Sequence, residues 1–267
     1  MMAASTTDPA FYRKVGPDEF ESTPATASPW DEQMQHGGPP AGLLARAIEQ
    51  TRPDPDMPIA RLTSDMLGPI PQGRVRVTAR VVRPGRRVEM VEASLWAGGQ
   101  LAVTATAWRI RAERGRSPAR THLAAPPTLP PAQPQVYFPG VSRTWGYGRA
   151  VEWRFVEGSY AEPGPGSVWA RVRIPLVEGE DTSPIPRLAI VVDSTNGISG
   201  ELPIADWLFV PPTLSLTVLR PPVGPWIHLA AQTHLSGIGT GVAQANVSDP
   251  DGLVAVVSQP LLVAPRT

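Results

Sequence analysis

The 267-residue chain balances 24 Lys and Arg against 24 Asp and Glu, so it lacks the broad positive field that holds a nucleic-acid backbone. It contains no cysteine, which removes disulfide stapling and thiolate chemistry and is consistent with a reducing compartment. The opening MMAASTTDPAFYRK has no leader pattern, and no apolar run approaches about 18 residues, so the chain reads as soluble and cytoplasmic, with no membrane span and no nucleic-acid partner.

Pro39 and Pro40 open the first predicted helix, where a missing amide costs nothing, and Leu43, Leu44, Ala47 and Ile48 form its apolar stripe. Three strand-like segments follow, beginning at Gly73, Arg86 and Gln100, with Gly85 and Gly98-Gly99 at the turns between them. The stretch from Ser117 to Gln135 is the densest part of a chain with 33 prolines, and reads as an extended linker. It separates an N-terminal unit, residues 1–116, from a C-terminal unit, residues 136–267, with the linker at 117–135. In the second unit Pro184 and Pro186 open the segment RLAIVV, and strands are predicted near Thr213, Trp226, Thr240 and Leu253.

A constant shift of 152 residues pairs Leu62 with Leu214, Leu67 with Leu219, Pro69 with Pro221, Ala79 with Ala231, Gly85 with Gly237 and Leu101 with Leu253. A shared turn glycine, a shared proline and matching strand phases at one offset indicate an internal duplication. A short hairpin, a central helix and a long antiparallel meander, occurring twice, describe an α+β protein: a double hot-dog, in which a sheet wraps each helix.

Signatures for serine nucleophiles, phosphate loops, dinucleotides and zinc are missing, and His36, His122, His228 and His234 form no metal-ligand pair; no metal or cofactor is expected. Asp193 follows the apolar run Leu188–Val192, where an unsatisfied carboxylate is costly, so it is either a local helix cap or a general base. Gln259 interrupts the apolar strand GLVAVVSQPLLV and must spend its amide on a backbone or a ligand. Under the repeat, Gln259 matches Ala107, and Asp193 matches Ala41, or Ala47 if the helix starts are superposed; this asymmetry favours function in the second unit. Thr213, Ser215 and Thr217 share one strand face, and Thr213, then Ser215, are the hydroxyl candidates. His36, Gly37 and Gly38 precede the first helix, where free amides favour an oxyanion.

These residues resemble the acyl-CoA thioesterase II family. The matching stretches are HGGPPAGLLARAIEQ in the first unit and DSTNGISGELPIADWLFVPP, LTVLRPPVGPW and SQPLLV in the second. The resemblance implies hydrolysis of fatty acyl-CoA by a water held among an aspartate, a glutamine and a hydroxyl, without a covalent intermediate. Asp193 and Gln259 match the first two. The hydroxyl position falls on Pro211, with Thr213 two residues beyond, and this departure keeps open a non-catalytic acyl-CoA-binding protein as the alternative. Acyl-CoA is the expected partner, and a homo-oligomer, a dimer of double hot-dogs, the expected assembly.

Overall fold

The computed structural model describes residues 8–113 and 115–266. The first unit contains β1 (Tyr12–Lys14), β2 (Glu19–Ser22), α1 (Gly38–Gln50), β3 (Ile59–Met66), β4 (Arg74–Arg83), β5 (Val88–Ala97) and β6 (Gln100–Ile110). The second contains α2 (Gly146–Ala150), β7 (Val151–Ser159), β8 (Glu162–Val172), α3 (Pro184–Val192), α4 (Thr195–Ile198), β9 (Trp207–Val210), β10 (Thr213–Val218), β11 (Ile227–Leu235), β12 (Thr240–Asp249) and β13 (Gly252–Pro265). Among the described residues no helix is long and apolar enough to cross a membrane.

All strands join one antiparallel sheet in the order β1-β2-β4-β5-β6-β3-β10-β13-β12-β11-β8-β7, with β9 attached to the end of β13. The second half of this order mirrors the first, and β3 pairs with β10 where the units meet, Thr63 opposite Ser215. The shift of 152 residues holds in the registers themselves. Thr63 faces Thr106, and Ser215 faces Ser258. Val91 faces Ala107, and Ala243 faces Gln259. Val77 faces Leu95, and Leu229 faces Val247. The matched glycines serve different needs. Gly237 adopts φ +77°, whereas a Cβ at Gly85 would lie 2.2 Å from the Val88 carbonyl oxygen.

The curved sheet encloses α1 and α3, which pack on each other. Every residue of α1 from Gly38 to Ala45 is buried, and so is α3 from Leu188 to Val192, because the helices are covered by sheet on one side and by each other on the other. A Cβ at Gly38 would lie 2.3 Å from the Ile190 carbonyl oxygen, and one at Gly42 would lie 2.8 Å from the Ile190 side chain. These glycines set how closely the start of α1 approaches the end of α3.

Residues 111–145 contain no helix or strand among those described, yet they are tied to the second unit. The Trp169 indole donates to the Pro127 carbonyl at 3.1 Å and Arg154 to that of Pro130 at 2.9 Å. Gln133 both donates to and accepts from the Phe155 backbone, each at 2.8 Å, on the free edge of β7.

Candidate active site

Asp193 is the residue at the C-terminal end of α3, and its carboxylate points across the unit boundary towards the start of α1. Its Oδ2 lies 3.1 Å from His36 Nδ1, and the Gly38 amide, which also donates to His36 Nδ1 at 3.2 Å, bonds the carboxylate. The sequence allowed a local cap through Ser194, Thr195 or Asn196. Asp193 does end α3, but its carboxylate makes no such local bond, and those side chains bond Tyr147, the Val192 carbonyl and the Phe209 carbonyl respectively.

His36 is fixed by both units. Its amide donates to the Thr26 carbonyl at 2.7 Å, and its ring stacks on Tyr147 with centroids 3.8 Å apart at 9°. The Tyr147 hydroxyl lies 2.8 Å from both the Ile190 carbonyl oxygen and Ser194 Oγ, tying the stack to α3. The Trp145 indole donates to the Ala27 carbonyl at 2.7 Å and holds the loop that carries His36. Burial depresses the His36 pKa to about 3 and raises that of Asp193 to about 7, partly offset by the Gly38 amide. The imidazole is therefore neutral at physiological pH, and Asp193 exchanges a proton there.

Pro39 and Pro40 remove two amides from the first turn of α1, and the Gly38 amide is already engaged. The Gly37 amide has no acceptor among the described residues, so the helix start keeps one donor for a ligand. These groups open onto a cavity of about 480 Å³ lined by Asp193, His36, Gly37 and Asn196 and by apolar residues such as Trp30, Met66, Leu208 and Val210. Asn196, which the sequence offered only as a local partner of Asp193, instead lines the same cavity.

The other predicted residues lie elsewhere. Gln259 is fully buried and points at the α3–α4 junction, donating to the Asp193 carbonyl and accepting from the Asn196 amide, both at 3.1 Å. Its oxygen and one of its two amide hydrogens bond backbone, which orders the turn that carries Asp193. Thr213 and Ser215 point away from Asp193, because Leu214, Leu216 and Val218 occupy the buried face of β10. Thr213 donates to Asp65 Oδ1 at 2.8 Å, and Ser215 lines an outer groove. Pro211 and Pro212 line the cavity where a hydroxyl was expected.

At the far end of the helix pair, Glu49 of α1 accepts from Ser183, just before α3, so a carboxylate meets a helix start there too. At that end buried Arg109 pairs with Glu89 at 3.2 Å and bonds the carbonyls of Thr51, Arg52 and Met57.

Residues 26–110 match the family model for the acyl-CoA thioesterase N-terminal domain, and residues 117–263 match the model for its C-terminal domain. The chain belongs to the acyl-CoA thioesterase family. It is a thioester hydrolase of that family. No curated protein is significantly similar to it. A hot-dog protein of unknown function from Alicyclobacillus acidocaldarius is 19% identical with TM-score 0.75, covering 97% of this chain and 98% of its own. A candidate thioesterase II from Thermobifida fusca YX is 19% identical with TM-score 0.71, at 98% and 99% coverage. An acyl-CoA thioesterase II from Mycobacterium marinum is 17% identical with TM-score 0.65, at 96% and 95% coverage. These likenesses establish the double hot-dog fold.

The larger groove, about 810 Å³, lies on the outer face of the sheet beneath the linker. Ser167 Oγ and His228 Nε2 pair there at 2.9 Å, and burial lowers the His228 pKa to about 4. Among the described residues no helix start lines this groove.

Proposed function

We propose that the protein hydrolyses fatty acyl-CoA thioesters at the Asp193 cavity, with Asp193 as general base and the start of α1 as oxyanion site. The observation that carries this reading is the Asp193 carboxylate, buried and poised near neutrality, beside the unengaged Gly37 amide. Asp193 takes a proton from a water as its oxygen attacks the thioester carbonyl carbon. The carbonyl oxygen becomes an oxyanion, and the Gly37 amide with the positive end of α1 stabilises it. The C–S bond then breaks, the proton passes from Asp193 to the CoA thiolate, and free fatty acid and CoASH leave. His36 Nδ1, an acceptor from the Gly38 amide, is positioned to accept also from protonated Asp193, while its stack on Tyr147 keeps it in place. Gln259 and Asn196 support the base from behind and from the side.

Asp193→Asn should lower thioester cleavage, followed with a thiol reagent, by about 10²-fold or more, while acyl-CoA binding changes little. Near-normal turnover in the folded variant would remove Asp193 from the mechanism. Binding without turnover in the wild type would instead favour a non-catalytic groove, the reading that Pro211 at the hydroxyl position supports.

A further inference from the structure

A second, smaller hollow of about 180 Å³ lies on the other side of α4 and β9 from the catalytic cavity. The two share a partition. Asn196 lines the catalytic cavity, and Gly197 and Gly200 line the hollow. Leu208 and Val210 line the cavity, and Phe209 between them turns the other way and lines the hollow, as strand alternation requires. The Phe209 ring is 4% exposed and meets Trp30, itself a wall of the catalytic cavity, edge-on with centroids 5.0 Å apart. Beyond the ring, Phe138, Leu202 and Ile204 give the hollow an apolar surface, and the two glycines leave it space.

We propose that Phe209 is a specificity-determining residue that ends the acyl pocket, and that the hollow behind it is an extension for acyl carbons which its ring excludes. This rests on the fatty acyl-CoA reading above. An acyl tail entering past Asp193 meets an apolar wall in which Trp30 is backed by the Phe209 ring. Removing the Phe209 side chain opens the hollow to the back of the Trp30 ring and leaves the Asn196 bond to the Phe209 carbonyl in place. Phe209 touches no reacting atom in this arrangement, so its effect falls on chain-length preference.

The test is a profile of kcat/KM over saturated acyl-CoAs of increasing length, for the wild type, Phe209→Leu and Phe209→Ala. The ratio of long-chain to short-chain kcat/KM should rise in that order, by about 10-fold or more for Phe209→Ala, since one methylene in an apolar pocket discriminates by roughly 10-fold or better. Ile204→Phe added to Phe209→Ala refills the hollow from its far wall and should return the ratio towards the wild-type value. Phe209→Leu keeps most of the packing and serves if the alanine variant does not fold. An unchanged ratio in a folded, active Phe209→Leu or Phe209→Ala protein overturns the proposal while leaving the thioesterase reading intact. A wild type that hydrolyses no acyl-CoA in the panel overturns both.

Discussion

Asp193 and His36 oppose each other in their response to pH. Asp193 binds its proton more tightly in the folded state, about 7 against 3.8, so its contribution to stability falls as pH rises through that window. His36 binds its proton less tightly, about 3 against 6.5, so its contribution rises with pH over a window that largely overlaps. The two slopes should nearly cancel between about pH 4 and 6.5 in the wild type. Asp193→Asn leaves His36 alone, and its unfolding free energy should climb by up to about 1.4 kcal/mol per pH unit there. Denaturant titrations at several pH values check this, and a variant slope equal to that of the wild type would show that the buried pair does not titrate as described. Catalysis reads the same group, since the base must be ionised, so kcat/KM should increase through an apparent pKa near 7. A profile flat from pH 5 to 8 would count against Asp193 as base.

The last strand of the second unit carries a different kind of requirement. Gln259 on β13 holds the turn between α3 and α4 by bonding two backbone groups that no strand or helix satisfies. Gln259→Ala leaves both unpaired at a fully buried position, at roughly 1–3 kcal/mol each, and lets Asp193 drift, so both the melting temperature and kcat should fall. Ala107→Ser occupies the matching register position on β6, far from any such turn, and should leave rate constants nearly unchanged once a stability check shows that the core accepts it. Equal losses of turnover at unchanged stability would mean that the asymmetry between the strands is only packing. Strand phase was legible in the sequence because alternation needs only neighbouring residues, and the single offset recurs in three pairs of matched registers. Asp193 was legible for a similar reason, as a carboxylate directly after an apolar run. The partners of Gln259 were not, since they lie more than 60 residues away in sequence. Thr213 and Ser215 were correctly assigned to one face, but the alternating Leu214, Leu216 and Val218 already marked the opposite face as the buried one.

The duplicated fold has two ends where a carboxylate of one helix meets the start of the other, and the Asp193 end opens onto the apolar cavity. The 13-residue α1 spans about 20 Å, which separates the Asp193 end from the end held by Arg109 and Glu89. Arg109→Met should cost about 3 kcal/mol or more, because Glu89 loses a buried partner and three carbonyls lose a donor. At a temperature where the variant remains folded, kcat/KM should match the wild type, whereas a matching loss of activity would show that the two ends are coupled. The residues that join the units have their own consequence for the molecule's survival as a soluble species. β7 is the last strand of the sheet, and the Gln133 side chain occupies both hydrogen-bonding groups of Phe155 that another strand would seek. A protease that cut on either side of Gln133 and released the intervening piece would leave both catalytic elements in place, yet it would bare a template for edge-to-edge growth, so nicked protein should be lost to aggregation before it is lost to inactivation.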